Sequence, residues 1–220
     1  MTDLLDFARG PALQFSLAVF VFGVVWRLVS LLFMPRLKDK SAIRSGAKPT
    51  MIAAVAEFFR RMLPKPEFAK RTRFTTINGW VFHLGLAIIV LTFAPHVLFI
   101  KSLTGLTWPA LPNIVIFAVG GVTVVSLILA LAHRLSSPVL KLISTMDDYV
   151  TWVVTITPVL TGLAAASHVG LRYETLLAIH ILSICVFFVW FPFGKLMHGF
   201  LVFLTRGEMG AQLNRRGIKL

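Results

Sequence analysis

The sequence predicts an all-α integral membrane protein: a five-transmembrane-helix bundle with its N-terminus outside and its C-terminus in the cytoplasm. Three observations predict it. Of 220 residues, 57% are hydrophobic and only 14% charged, against about 25% charged in soluble domains. Five apolar runs reach the roughly 18 residues that a membrane-crossing helix needs. Basic residues gather in alternate connections, as cytoplasmic loops do.

The runs fall at about 12–33, 76–100, 113–133, 149–167 and 175–203. The first follows MTDLLDFARG, which is acidic where a cleavable signal is basic, and it is too long for a signal's apolar core. It carries one charge, Arg27. The second carries His83 and His96, with Pro95 just before the latter. The third ends at His133, read as an interfacial residue before Arg134. The fourth runs to His168, read as a loop residue before VGLRYE. The fifth holds His180 and His198 and is long enough to tilt or project from the bilayer. None shows the alternation that a barrel strand needs. Residues 1–220 read as one membrane domain, with no internal repeat, low-complexity tract or soluble catalytic core. The single cysteine, Cys185, excludes an internal disulfide and a multi-cysteine iron–sulfur or zinc site. It reads as a small packing residue.

Charge orients the chain. The net charge is +13. The 35–75 connection holds basic residues from Arg36, Lys38 and Lys40 through Arg44, Lys48, Arg60 and Arg61 to Arg71 and Arg73. Arg134 and Lys141 follow the third run, and Lys195, Arg206, Arg215, Arg216 and Lys219 follow or end the fifth. The opposite side has Arg9, Lys101 and Arg172. The positive side is cytoplasmic. The charge therefore serves topology and anionic headgroups, and no aromatic–basic nucleic-acid motif accompanies it. Within the long connection, residues 50–63 predict an amphipathic helix. Met51, Ile52, Val55, Phe59 and Met62 recur at helical spacing. Such a helix suits either the membrane surface or a partner protein.

Ionisable residues inside membrane runs are functional candidates. His180 and His198 stand 18 residues apart. On one continuous helix that spacing is five whole turns, placing both rings on one face about 27 Å apart. His83 and His96 are 13 residues apart, roughly 20 Å along a helix. The second and fifth runs point in opposite senses, so His83 matches His198 near the cytoplasm and His96 matches His180 near the exterior. Two imidazoles facing across a gap between helices can ligate one haem iron axially. The competing reading is four histidines hydrogen-bonded between helices. Thirteen residues turn an ideal helix by about 220°, so His83 and His96 need a kink at Pro95 to serve one neighbour.

The stretches FHLG (82–85), APH (94–96), IH (179–180) and FPFGKLMH (191–198), with STMDDYVTWVVTITPVLTGL, resemble the gamma (cytochrome b) subunit of respiratory nitrate reductase. That family takes in the membrane subunits of heterodisulfide reductases and of Dsr-type, sulfite-reduction-associated complexes. The resemblance covers essentially the whole chain, and FPFGKLMH is its most specific part. The thirteen-residue interval and Pro95 depart from the nitrate reductase subunit, which has a shorter interval and a glycine, and point to a divergent relative.

The resemblance implies two b haems, with His83 and His198 on the inner iron and His96 and His180 on the outer. It implies a quinol or quinone substrate near the outer haem, where Lys101 is the candidate contact, with the interfacial-anchor reading beside it. His168, Arg172, Tyr173 and Glu174 lie on the same side. Arg27 and Arg73, with Arg71 and Arg206, are candidates for haem propionates. For Arg27, snorkelling is the competing role. Gly79, Gly85 and Gly194 either make room for a porphyrin or allow close helix packing. The expected partner is a cytoplasmic iron–sulfur or molybdenum-enzyme subunit, docking on the 35–75 loop and the tail RGEMGAQLNRRGIKL. The expected location is a bacterial or archaeal cytoplasmic membrane. Two alternatives stand beside this reading. One is a stand-alone transmembrane cytochrome b reductase. The other is a haem-free transporter or assembly protein with structural histidines.

Overall fold

The computed structural model describes residues 2–35 and 42–218. Arg36, Lys38, Lys40 and Lys219 of the predicted cytoplasmic charge lie outside the described residues. Those described form ten α-helices and no strand. They are α1 (Thr2–Phe7), α2 (Leu13–Ser30), α3 (Thr50–Arg60), α4 (Pro66–Thr92) and α5 (Ala94–Thr104), then α6 (Asn113–Ser136), α7 (Pro138–Ile143), α8 (Met146–Ser167), α9 (Tyr173–Trp190) and α10 (His198–Arg216). Five helical segments are long and apolar enough to cross a membrane: Asp3–Phe33, α4, α6, α8 and α9. Large apolar side chains such as Phe22, Ile114 and Leu142 are mostly exposed. That suits lipid as the surrounding medium, because in hydrocarbon outward apolar groups cost nothing.

Two apolar runs are broken, and the breaks correct the sequence reading. The run 76–100 is two helices. Phe93 is extended (φ −72°, ψ 129°), and α5 begins at Ala94 with Pro95 in its first turn. Pro95 has no N–H to take the Leu91 carbonyl and continue α4, and it fits the first turn of a new helix, so the chain stops at Phe93 and restarts instead of kinking. The last carbonyls of α4 still find donors. Trp108 donates its indole N–H to Leu91, and the Leu111 N–H donates to Thr92 at 2.9 Å. α5 closes at Gly105, whose left-handed φ of 77° a side chain would strain. The run 175–203 is also divided. α9 stops at Trp190, Pro192 and an extended Gly194 (φ −96°, ψ −173°) interrupt it, and a 3-10 turn at Lys195–Met197 leads into α10. His180 and His198 therefore stand on different helices, and the five-turn phase argument between them does not apply.

The chain divides into two compact units. One comprises Met1–Ser16 and Arg73–Phe187, the other Leu17–Thr72 and Phe188–Leu220. In the first, Leu127, Ile156 and Val159 form a core with Phe82, Leu86, Ile89, Trp152 and Leu163 around them. A Cβ on Gly85 would fall on Thr123 Oγ1, so glycine sets how closely α4 approaches α6. Beside it, Asn78 and Ser126 are buried and satisfy each other. Asn78 Nδ2 donates to the Ser126 carbonyl (3.0 Å), and Ser126 Oγ donates to Asn78 Oδ1 (2.7 Å). Thr145 and Asp148 form a capping box at the start of α8, and Arg134 of α6 pairs with Asp148 at 3.1 Å.

In the second unit Phe20 of α2 packs against Phe188, Phe191 and Phe200. α3 lies against α10, with Gly210 on Ala53 and Glu57, and Phe58 stacked on Phe203 at 5.2 Å. The face of α3 turned to α10 carries Glu57, and the apolar stripe Met51, Ile52, Val55 and Phe59 is exposed. Arg60 donates to both Glu57 carboxylate oxygens at 2.8 and 2.7 Å, and Arg61 also donates to that carboxylate. These bonds, Arg60's first, hold the Glu57 carboxyl below its ordinary pKa, and burial opposes them. The C-terminal tail is thus largely helix, tied to α3 and to residues 44–48. Asn214 Nδ2 donates to the Lys48 carbonyl at 2.8 Å.

A depressed carboxyl pKa contributes stability that is present at neutral pH and lost as pH falls through the folded value. Hydrogen exchange should therefore show α3 amides protected at pH 7 and losing protection below the ordinary carboxylate range. Glu57→Ala should remove this acid dependence. It should cost about 1 kcal/mol, a roughly 5-fold loss of α3 protection, because the two guanidinium groups still reach water.

Candidate functional site: facing imidazoles on α5 and α9

His96 sits in the first turn of α5 and His180 in the middle of α9, both in the first unit. Their ring centroids are 6.2 Å apart and their planes differ by 21°. The break at Phe93 frees His96 from the helical phase of α4. Phe93 itself meets the His96 ring edge-on at 5.3 Å. Both imidazoles are partly buried.

Each ring is held through Nδ1. His96 Nδ1 lies 3.1 Å from the Ile89 carbonyl, which can only accept, so Nδ1 carries the proton. His180 Nδ1 lies 3.2 Å from Thr161 Oγ1 of α8. The Thr161 hydroxyl hydrogen goes to the Thr157 carbonyl at 2.8 Å, so its oxygen receives the His180 N–H. In both rings Nε2 then keeps the lone pair that a metal requires. Two imidazoles on one iron, each with a metal–nitrogen bond of roughly 2 Å, bring their ring centroids to about 6 Å. Donor type, tautomer and separation would let the pair hold one metal, a haem iron among them, which would supply one-electron chemistry there.

His83 and His198 fall in different units. His83, on α4, donates from Nδ1 to the Gly79 carbonyl at 2.7 Å and stacks on Phe82. His198, at the start of α10, donates from Nδ1 to the Lys195 carbonyl at 2.7 Å. Each bond puts a proton on Nδ1, as in the α5–α9 pair. His133 rests on Phe74 at 4.7 Å.

The other candidates are spread out. Lys101 is exposed on the last turn of α5, one and a half turns beyond His96. His168 caps α8 with a left-handed φ of 55° and meets Tyr173 edge-on at 4.8 Å. Arg172 faces Glu174 at 3.7 Å. Arg27 and Arg73 are both exposed, on α2 and α4 respectively, and Arg206 contacts Met62 Sδ. Of the three glycines, Gly85 abuts Thr123 and Gly194 abuts the Trp190 indole, both close-packing roles, whereas a Cβ on Gly79 would meet nothing. Cys185 is buried.

Sequence reasoning found the histidines and missed what holds them. Thr161, Gly162 and Ser183 surround His180. A Cβ on Gly162 would come 3.0 Å from His180 Cε1, and Ser183 Oγ donates to the His180 carbonyl at 2.6 Å. The TG pair at 161–162 was visible in the sequence, but nothing in one sequence ties it to a residue 19 positions on.

No protein-family model matches the chain, and no solved structure matches it. It is similar to a protein of Nitratidesulfovibrio vulgaris (strain Hildenborough) that is described only as "Protein". The two are 29% identical over 209 residues, which is 93% of this chain and 91% of that one.

The facing of His96 and His180 can be tested without any cofactor. In a Cys185→Ser background, His96→Cys and His180→Cys together should be joined by a short bismaleimide, and neither single variant should be. Failure of the double variant to cross-link would remove the pairing.

Proposed function

We propose that the chain is the membrane-anchor cytochrome b subunit of a multi-subunit oxidoreductase, carrying two b haems between the quinone pool and a cytoplasmic redox partner. The observation that carries this reading is the α5–α9 pair. Two imidazoles face each other at 6.2 Å, each with Nδ1 hydrogen-bonded and Nε2 as the coordinating nitrogen. His96 and His180 would hold the outer haem. His83 and His198 would hold the inner one, a pairing that rests on the direction of the runs and on the family resemblance. When bound, the haems supply one-electron transfer at potentials set by ligand, burial and hydrogen bonding.

The protein's own residues bind, orient and insulate. The carbonyls of Gly79, Ile89 and Lys195 and the hydroxyl of Thr161 fix the four tautomers. Lys101 is the proposed quinone contact, and Arg27 and Arg73 the proposed propionate partners. The positive side faces the cytoplasm of a bacterium or archaeon, with the N-terminus outside. There an iron–sulfur or molybdenum-enzyme subunit docks on the 35–75 connection and the tail. α3 and α10 contribute to that surface.

A reduced-minus-oxidised spectrum with haem quantification tests the reading, and two b-type haems per chain are expected. His180→Ala should remove the outer haem and quinol oxidation with it, and His198→Ala should remove the inner haem. A colourless purified protein would favour the haem-free alternative. Turnover by the isolated subunit without a partner would favour the stand-alone reductase.

A further inference from the structure

We propose that Thr161 and Gly162 of α8 form the seat of His180, and that Thr161 is the positioning residue that fixes this ring's tautomer and tunes the metal it faces. The part concerning the metal rests on the haem reading above. The seat itself rests on side-chain geometry within one unit.

α8 reaches His180 at consecutive residues, one chemical and one steric. Thr161 Oγ1 lies 3.2 Å from His180 Nδ1. Its own hydrogen goes to the Thr157 carbonyl at 2.8 Å, so the oxygen is presented as an acceptor. Ser183, one turn along α9 from His180, has its hydroxyl 3.0 Å from the Thr161 oxygen and donates to the His180 carbonyl at 2.6 Å. Ser183 is buried and Thr161 partly so. Next to Thr161, Gly162 presents bare backbone to the ring. An added Cβ would sit 3.0 Å from Cε1 and 3.3 Å from Nδ1. Threonine thus supplies the acceptor, and glycine lets the ring come within reach of it.

His180 differs here from the other three histidines. His83 and His198 are tied to a carbonyl three or four residues earlier, and His96 to one seven earlier. Those acceptors are backbone atoms that no substitution deletes. His180 alone among the four has a side-chain hydroxyl on Nδ1, beside the Pro158 carbonyl of the same helix, so one of its acceptors is a replaceable oxygen. An acceptor on Nδ1–H makes imidazole a more basic ligand and favours the oxidised, more positive metal. Removing it should raise the reduction potential of that centre. It also leaves the partly buried ring with the Pro158 carbonyl as its remaining acceptor, which weakens the tautomer preference.

Thr161→Val removes the oxygen at nearly constant volume, and Thr161→Ser keeps it. In the purified full chain, redox titration should show Thr161→Val retaining both haems with only the outer potential raised, and Thr161→Ser behaving as wild type. A Thr161→Val protein with a full outer haem and an unshifted potential would overturn the proposal. Haem loss in both variants would overturn it as well, because the hydroxyl would then not be the determinant. Haem loss in Thr161→Val alone supports it, and the weakening expected for such an orienting group is about 10–100-fold in retention. A haem-independent measurement separates this proposal from the haem reading. In ¹⁵N-histidine-labelled apoprotein, His180 should be the Nδ1–H tautomer in wild type and in Thr161→Ser, and shift toward Nε2–H in Thr161→Val. A colourless wild type that still shows this shift would sink the haem reading and leave the seat standing. An unchanged tautomer would sink the seat.

Discussion

Hydrocarbon offers no water to a polar group, and every unusual feature of this chain answers to that. A backbone carbonyl left without a donor inside a bilayer costs several kcal/mol by general estimates, on the order of what a whole helix contact contributes. Where α4 stops at Phe93, its last carbonyls are taken by Trp108 and Leu111 from the following loop. Where asparagine and serine lie buried between α4 and α6, they satisfy each other. Each of the four run-borne imidazoles ties Nδ1 to an oxygen near at hand. The same demand that silences one ring nitrogen leaves the other as the chemically expressive atom.

Much of the helical architecture was legible in the sequence, because length and hydropathy alone mark an apolar run. The number of membrane-length helices, the amphipathic helix near 50–63 and the lack of strands among the described residues all follow from composition and period. The interruptions were harder to read. Pro95 was visible, but whether a proline bends a helix or ends it depends on whether another segment can take the freed carbonyls. That segment, 105–112, comes after the break. FPFG at 191–194 likewise sits in an unbroken apolar stretch, and hydropathy does not register that Pro192 and Gly194 release the helix.

The candidate site was half legible for a related reason. Histidines in apolar runs are rare enough to be noticed singly, and opposed run directions suggested which of them to pair. Rotation about the helix axis is another matter, since it depends on breaks and on neighbours. The hydroxyl of Thr161 and the missing side chain of Gly162 act on a ring that is remote in sequence. Threonine and glycine are also common in membrane helices for plain packing, so neither draws attention by its type. The exposed stripe of α3 has the same character. Its period announced an amphipathic helix, but only the fold shows that the covered face is the one bearing Glu57.

The extended residue at Phe93 changes what the interval between His83 and His96 means. On an unbroken rod, adding or deleting one residue would swing the second ring by about 100° and ruin its aim. With a swivel between two rods, the interval becomes a matter of reach, and angular error is absorbed at the joint. The aim of His96 is then fixed across the joint by the Ile89 carbonyl rather than by the count of helical turns.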